Sequence, residues 1–240
     1  MFEVTTSPIK NVNDRKINNG KDIILPFQIE PYSLRGRFIG LSEATTSVIK
    51  NHKYPDPVAN LLAEMLVLAP CLSSALKYDG VFTLQVSGNG PVKTLLADIT
   101  SDGELRGYAN FDAEQIASLN LKPNVQPSLN QLTGTGYIAF TVDQGSKGER
   151  YQGIVELSNS NLVDCTHAYF RNSEQLETVI NLAVEQSAQG IWKGVAIMIQ
   201  RLGFAGGQGI PQGITEDEYD ESWRNAAIML GSCKKSELLN

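Results

Sequence analysis

Cysteine is scarce in this chain of 240 residues. There are three, at Cys71, Cys165 and Cys233, and no Cys-x-Cys or Cys-x-x-Cys pair. That excludes a zinc motif or a thiol-redox motif read from spacing. A sparse, odd count also argues against a secreted domain built on disulfides. Histidine is scarcer still, with two residues, and His52 and His167 cannot form a metal site unaided. Positive charge is in deficit, with 20 Lys and Arg against 26 Asp and Glu and a formal net charge of −6. No basic stripe offsets it, so no nucleic-acid partner is expected. Long apolar runs are missing. Residues 1–20 carry no apolar core of a secretory signal, which makes the cytoplasm the default location. The most hydrophobic stretch, Leu61 to Leu76, contains Glu64 and Pro70 and is shorter than the ~20 apolar residues of a membrane span. It is expected as a buried helix, with no membrane partner. No nucleotide-binding loop is present.

What the chain does have is 42% hydrophobic residues, enough for one large domain with an appendage. Residues 1–22, rich in Asn, Lys and Asp, are expected as a flexible N-terminal arm. Residues 23–203 are expected as the main domain. Within it, Leu34 to Leu41 suits a strand, and a short helix from Ser42 turns Ala44, Val48 and Ile49 inward. Asp56 and Pro57 together suit a helix start, the carboxylate as cap and the proline where no bond is lost. Val58, Leu61, Leu62, Met65, Leu66 and Ala69 follow helical spacing. Pro70 is expected to kink or split that helix, and Gly80 to cap it.

Three strands follow. Phe82, Leu84 and Val86 alternate with polar residues, the period of a half-buried strand. Short turns at Gly88–Pro91 and Asp102–Gly103 lead to Val92–Ile99 and Leu105–Phe111, and such turns favour antiparallel neighbours. Asp112 with Gln115 resembles a capping box. A second hairpin joins Tyr137–Val142 to Arg150–Leu157, a helix covers Asn161–Phe170, and a third hairpin turns at Gln189–Gly190. There Ile180, Leu182 and Val184 alternate on one strand, and Val195, Ile197 and Ile199 on the other. The fold class expected is α+β, a mostly antiparallel sheet of hairpins packed with helices, followed by a helical linker. Residues 204–240 form that last part: a glycine-rich hinge, then an amphipathic helix over Thr215–Ser232. Tyr219, Trp223, Ala227 and Leu230 share one stripe of it.

Candidate chemistry is thin. Gly134-Thr135-Gly136-Tyr137-Ile138-Ala139 matches a dinucleotide fingerprint in letters. The fingerprint needs a helix after the glycines, and strand alternation follows them here. Cys165 and His167 are two apart, and on a helix such positions do not face each other. Cys165 suits a small core residue and His52 a turn residue. Asp217, Glu218, Asp220 and Glu221 suit a solvated helix start. The apolar stripe has two readings. It docks the helix on the main domain, or it is a surface that undocks and takes a partner.

Several blocks together resemble heat shock protein 33, a redox-regulated holdase chaperone family of bacteria. They are Asn51-His52-Lys53-Tyr54-Pro55-Asp56-Pro57-Val58, Leu62-Ala63-Glu64, Leu76-Lys77-Tyr78-Asp79-Gly80, Leu84 to Pro91, Leu105-Arg106-Gly107-Tyr108-Ala109, Gly148 to Val155, and Tyr169-Phe170-Arg171-Asn172-Ser173-Glu174-Gln175-Leu176. The resemblance implies an α+β domain, a helical linker and a further zinc domain held by four cysteines, whose oxidation switches on binding of unfolded clients. The ligand pairs of that zinc domain are not in this chain. It is therefore expected to be truncated before the zinc domain and to hold no cofactor of its own.

The function implied is an ATP-independent holdase of the stress response, with no catalytic residues. Its partners would be unfolded or partly folded proteins, and a homodimer stays open. The client-binding residues expected are Tyr219, Trp223, Ala227 and Leu230. The alternatives are an inactive remnant, or a small-molecule enzyme with a pocket between the sheet and the helix that begins at Asp56. The enzyme would need convergent titratable groups there.

Overall fold

In the computed structural model, the structure describes residues 22–29, 32–119, 125–145, 148–157, 161–202 and 213–240. The expected arm, apart from Asp22, and nearly all of the glycine-rich hinge lie outside the described residues. Asp22 itself belongs to the fold. Its carboxylate is buried and accepts the backbone N–H groups of Ser42, Glu43 and Ala44 at 2.5, 3.1 and 2.7 Å. These are orphan donors of helix α1 (Glu43–Lys50).

Two antiparallel sheets form. β1 (Ile23–Ile29), β2 (Leu34–Leu41), β8 (Thr178–Gln186) and β9 (Trp192–Arg201) make a four-stranded sheet in the order β1-β2-β9-β8. β3 (Val81–Gly88), β4 (Val92–Thr100), β5 (Leu105–Phe111), β6 (Gly136–Asp143) and β7 (Arg150–Glu156) make a five-stranded sheet in the order β5-β4-β3-β6-β7. The hairpins are as the alternation and turns imply. What closes the four-stranded sheet is β2 pairing with β9, Leu34 opposite Arg201 and Leu41 opposite Gly194.

Helix α2 (Asp56–Ser73) lies between the sheets and touches both. Two glycines let it approach. A Cβ on Gly107 of β5 would stand 2.8 Å from Leu66, and one on Gly194 of β9 would stand 2.3 Å from Val67. Among the described residues α2 is the one helix long and apolar enough to cross a membrane, and 78% of that window is buried inside the protein. Its apolar all-round surface is that of a core helix.

Three local expectations change. Asp56 is the first helical residue and caps nothing; Pro55 holds the cap position. Pro70 does not split α2, which runs on to Ser73. It sits in the final turn, where Ser74 N–H bonds Pro70 O and Arg37 Nε donates to Ser74 O at 3.1 Å. Gly80 caps no helix. It brings the backbone against Asp143, whose carbonyl oxygen would stand 2.1 Å from an added Cβ.

Small elements complete the domain: α3 (Ala113–Ser118), α4 (Leu129–Thr133) and α5 (Leu162–Tyr169), which continues as a π-turn over Phe170–Glu174. Asp112 accepts the N–H groups of Glu114 and Gln115, as its capping pattern implies. β6 begins at Gly136, so a strand follows the glycines of the apparent dinucleotide fingerprint.

The four-stranded sheet is apolar on both faces. Ile180, Leu182, Val184, Ala196 and Met198 join the main core around α2. Val195 and Ile199, the alternating set that would suit that core, face the other way. The physical reason is that this outer face is also covered. Helices α6 (Glu216–Ser232) and α7 (Lys235–Leu239) lie on it.

Candidate functional site

The amphipathic helix α6 starts with a complete capping box. Thr215 N–H donates to Glu218 Oε2 at 2.8 Å, and Glu218 N–H returns to Thr215 Oγ1 at 3.3 Å. From there its stripe runs down the outer face of the four-stranded sheet. Tyr219 is buried, and its hydroxyl donates to Leu202 O at 2.8 Å. The Arg201 guanidinium stands 4.2 Å above the Tyr219 ring centroid and pairs with Glu177 at 3.0 Å and with Asp220. Leu230 is buried on Leu34 and Ile199, with Trp223 packed beside them. Trp223 and Ala227 face a groove shared with Val179 and His167. The four expected residues are thus brought together, and against the sheet. The apolar residues of α6 that face solvent are Ile228 and Met229, 67% and 72% exposed. Sequence reasoning passed over them. The signal was the unbroken apolar run Ala226 to Leu230, too wide for one stripe.

The end of α6 is held by a residue the sequence did not single out. Asn181 of β8 donates through Nδ2 to the carbonyls of Leu230 and Cys233, both at 2.8 Å. Its Oδ1 accepts Leu182 N–H at 2.9 Å. These carbonyls are orphan acceptors of a helix C-terminus, satisfied here from another element. Beyond them α7 buries Leu238 and Leu239 on Ala183 and Val195. Lys235 lies 3.9 Å from Glu64 of α2. Burial raises the Glu64 pKa, opposed by Lys235 and by the Asn60 side chain.

The other candidate groups are structural. Cys71 is fully buried in α2, and burial pushes its thiol up to about 12, with Arg37 opposing. Cys165 is fully buried in α5, and Cys233 is partly exposed after α6. The three sulfurs belong to separate places, and among the described residues no three His, Cys, Asp or Glu gather where a metal could sit. A zinc ion therefore finds no fitting donor set in the described residues. His167 accepts the Ile180 N–H through Nε2 at 2.9 Å. His52 is exposed beside Tyr54, ring centroids 5.1 Å apart.

A cavity of about 340 Å³ does open at the C-terminal end of α2, between α2, the five-stranded sheet and the π-turn. Its titratable lining is Lys77, Tyr151, Tyr169 and Glu174. Burial, then the hydrogen bonds to Glu174 and Tyr151, raise the Tyr169 pKa, so the phenol keeps its proton. The lining supplies hydrogen-bond partners rather than a nucleophile with its base.

Fold and site together define an α+β protein with one apolar sheet face closed by a separate pair of helices. The family model for the Hsp33 protein matches residues 22–240, and the chain belongs to that family. A 33 kDa chaperonin of Caulobacter vibrioides is 36% identical over 222 residues, covering 91% of this chain and 70% of that protein. One of Aliivibrio salmonicida is 40% identical over 152 residues, 63% of this chain and 49% of its own length. The crystal structure of the 33 kDa chaperonin (heat shock protein 33 homolog) of Thermotoga maritima superposes with a TM-score of 0.68 at 19% identity. It covers 87% of this chain and 67% of its own, and shares the fold.

Proposed function

We propose that this chain is an ATP-independent holdase that binds unfolded or partly folded proteins and keeps them from aggregating. The observation that carries the reading is the four-stranded sheet, apolar on its outer face and closed there, among the described residues, by α6 and α7. No residue of either helix belongs to the main core cluster, so the helices can lift while the domain stays folded. Lifting uncovers two apolar surfaces, the stripe Tyr219, Trp223, Ala227 and Leu230 and the sheet residues beneath it. Both are client surface in this reading. Capture draws on apolar burial, roughly 25 cal/mol per Å² removed from water, and requires no covalent step. The relatives named 33 kDa chaperonin support it.

The test is light scattering from a heat-unfolded client, without ATP. The parent chain should suppress aggregation. Asn181→Ala, which frees α6 without touching the stripe, should suppress more. Adding Trp223→Ala and Leu230→Ala to it should lower the gain. A triple variant as effective as Asn181→Ala moves the client site wholly onto the sheet. Aggregation unaffected by all three forms overturns the holdase.

A further inference from the structure

The cavity at the end of α2 has no part in that mechanism. No residue of α6 or α7 lines it, so it is open while those helices are docked. Three of the sequence blocks that carry the family resemblance meet in it, the one from Leu76 to Gly80, the one around Tyr151 and the one from Tyr169 to Leu176. Its walls are apolar, chiefly Leu72, Leu76, Phe82 and Val142. The rim continues as apolar surface, with Leu76 and Tyr151 43% and 53% exposed.

One end is polar, and it is built. Tyr169 is buried and stacks on Phe140, ring centroids 4.3 Å apart. Its ring fits because residue 153 is glycine, where a Cβ would stand 2.3 Å from the ring. The π-turn over Phe170–Glu174, ended by Gln175 at φ 52°, folds Glu174 back onto that phenol. A π-turn is costly and recurs at functional positions. Glu174 Oε1 accepts from Tyr169 and, at 2.9 Å, from Tyr151, while the two phenol oxygens stand 3.3 Å apart. Both hydroxyl protons are committed to the carboxylate. What remains on this lining cluster is acceptor capacity, on the Glu174 carboxylate and the phenol oxygens. Lys77 lines the rim from the α2 side and can donate to a carbonyl.

An occupant must therefore bring an apolar group for the walls and a cationic N–H donor for Glu174. We propose that this cavity is a second client-capture point, taking an aromatic or branched apolar side chain whose sequence neighbour is lysine or arginine. The proposal rests on the holdase reading and names the client chemistry it favours. The net charge of −6 attracts such basic segments over the whole surface.

The test uses two peptides, Gly-Gly-Phe-Lys-Gly-Gly and Gly-Gly-Phe-Glu-Gly-Gly, titrated into the full chain by calorimetry. The lysine peptide should bind about tenfold more tightly, the scale of one charge-assisted contact. Glu174→Gln should erase that preference. Ala75→Trp, which fills the cavity, should weaken the lysine peptide about tenfold as well. If Ala75→Trp fails to fold, Leu76→Asn at the exposed rim, which removes apolar wall without adding charge, is expected to do the same. Equal binding of the two peptides, or full binding with the cavity filled, overturns the proposal. Aggregation suppression is measured alongside. Suppression without peptide selectivity removes the cavity site and leaves the holdase standing. Selectivity without suppression removes the holdase, and with it the client role of the cavity.

Discussion

His167 accepts a hydrogen bond that it can keep only while its Nε2 is unprotonated. The N–H of Ile180 points at that nitrogen from 2.9 Å. Burial lowers the imidazole pKa from its ordinary 6.5, Asp164 opposing and Arg171 assisting. Glu64 and Lys235 share the neighbouring cavity with His167. A depressed folded pKa means the unfolded chain binds the proton more tightly. The stability from neutral His167 is present above pH 6.5 and is lost as the pH falls below it. Glu64, with a raised pKa, works in the opposite sense and gains on acidification. The melting temperature of the parent should fall between pH 7 and pH 5 relative to His167→Gln, which keeps an acceptor without the titration. Parallel pH profiles would show that the bond to Ile180 carries no linkage. The thiols give a second test at this scale. With Cys71 and Cys165 fully buried, and a thiolate the reactive form, iodoacetamide should label Cys233 alone in the native protein. Mass spectrometry after denaturation should find the other two alkylated.

Asn181 sets how firmly the C-terminal helices hold. Its two bonds reach Leu230 and Cys233, and their loss leaves carbonyls unpaired at a cost of about 1–3 kcal/mol. In Asn181→Ala, hydrogen exchange across Glu216–Ser232 should accelerate by about tenfold or more, since 1.4 kcal/mol is a factor of ten. Exchange in α2 should not change. Uniform acceleration in both would mean that the helices and the domain open together.

How much of this was legible is clear element by element. Leu105–Phe111 was readable to the residue because the Asp102–Gly103 turn and the Asp112 cap frame it, and Leu34–Leu41 was readable to the residue as well. β1 was missed because Pro26 sits inside it, and proline argues against a central strand. β1 is an edge, where a missing N–H is tolerated. α7 is five residues long, too short for a period to show. The stripe of α6 was legible from helical spacing. Its docking on the main domain was one of two readings left open, and the face it docks on was not legible, since that depends on β9 presenting Val195 and Ile199 outward. Asn181 was invisible because its partners lie 49 and 52 residues away. The cavity lies between the sheet and α2, where the enzyme alternative placed a pocket, but its polar end, assembled by a π-turn, was not legible.

At the scale of the molecule, α2 ties two sheets into one body, and of the two glycines that let it approach, Gly194 against Val67 leaves the less room for a Cβ. Gly194→Ala should cost about 1–3 kcal/mol by overpacking, lowering the melting temperature. Val67→Ala, itself destabilising by cavity formation, should recover part of that loss when combined with it. A double-mutant cycle with no coupling would mean the sheet shifts freely away from the helix.

The pairing of β2 with β9 has a consequence for how the chain reaches this state. Leu34 must wait for Arg201, so the four-stranded sheet cannot close until nearly the whole domain has been synthesised. Such distant pairings make folding slow. Its outer face then waits longer, because the helices that shield it follow β9 in the chain. During that interval the nascent protein displays Ile197, Ile199 and Phe38 to the cell. For a time it carries the same kind of apolar surface as the polypeptides it is proposed to hold.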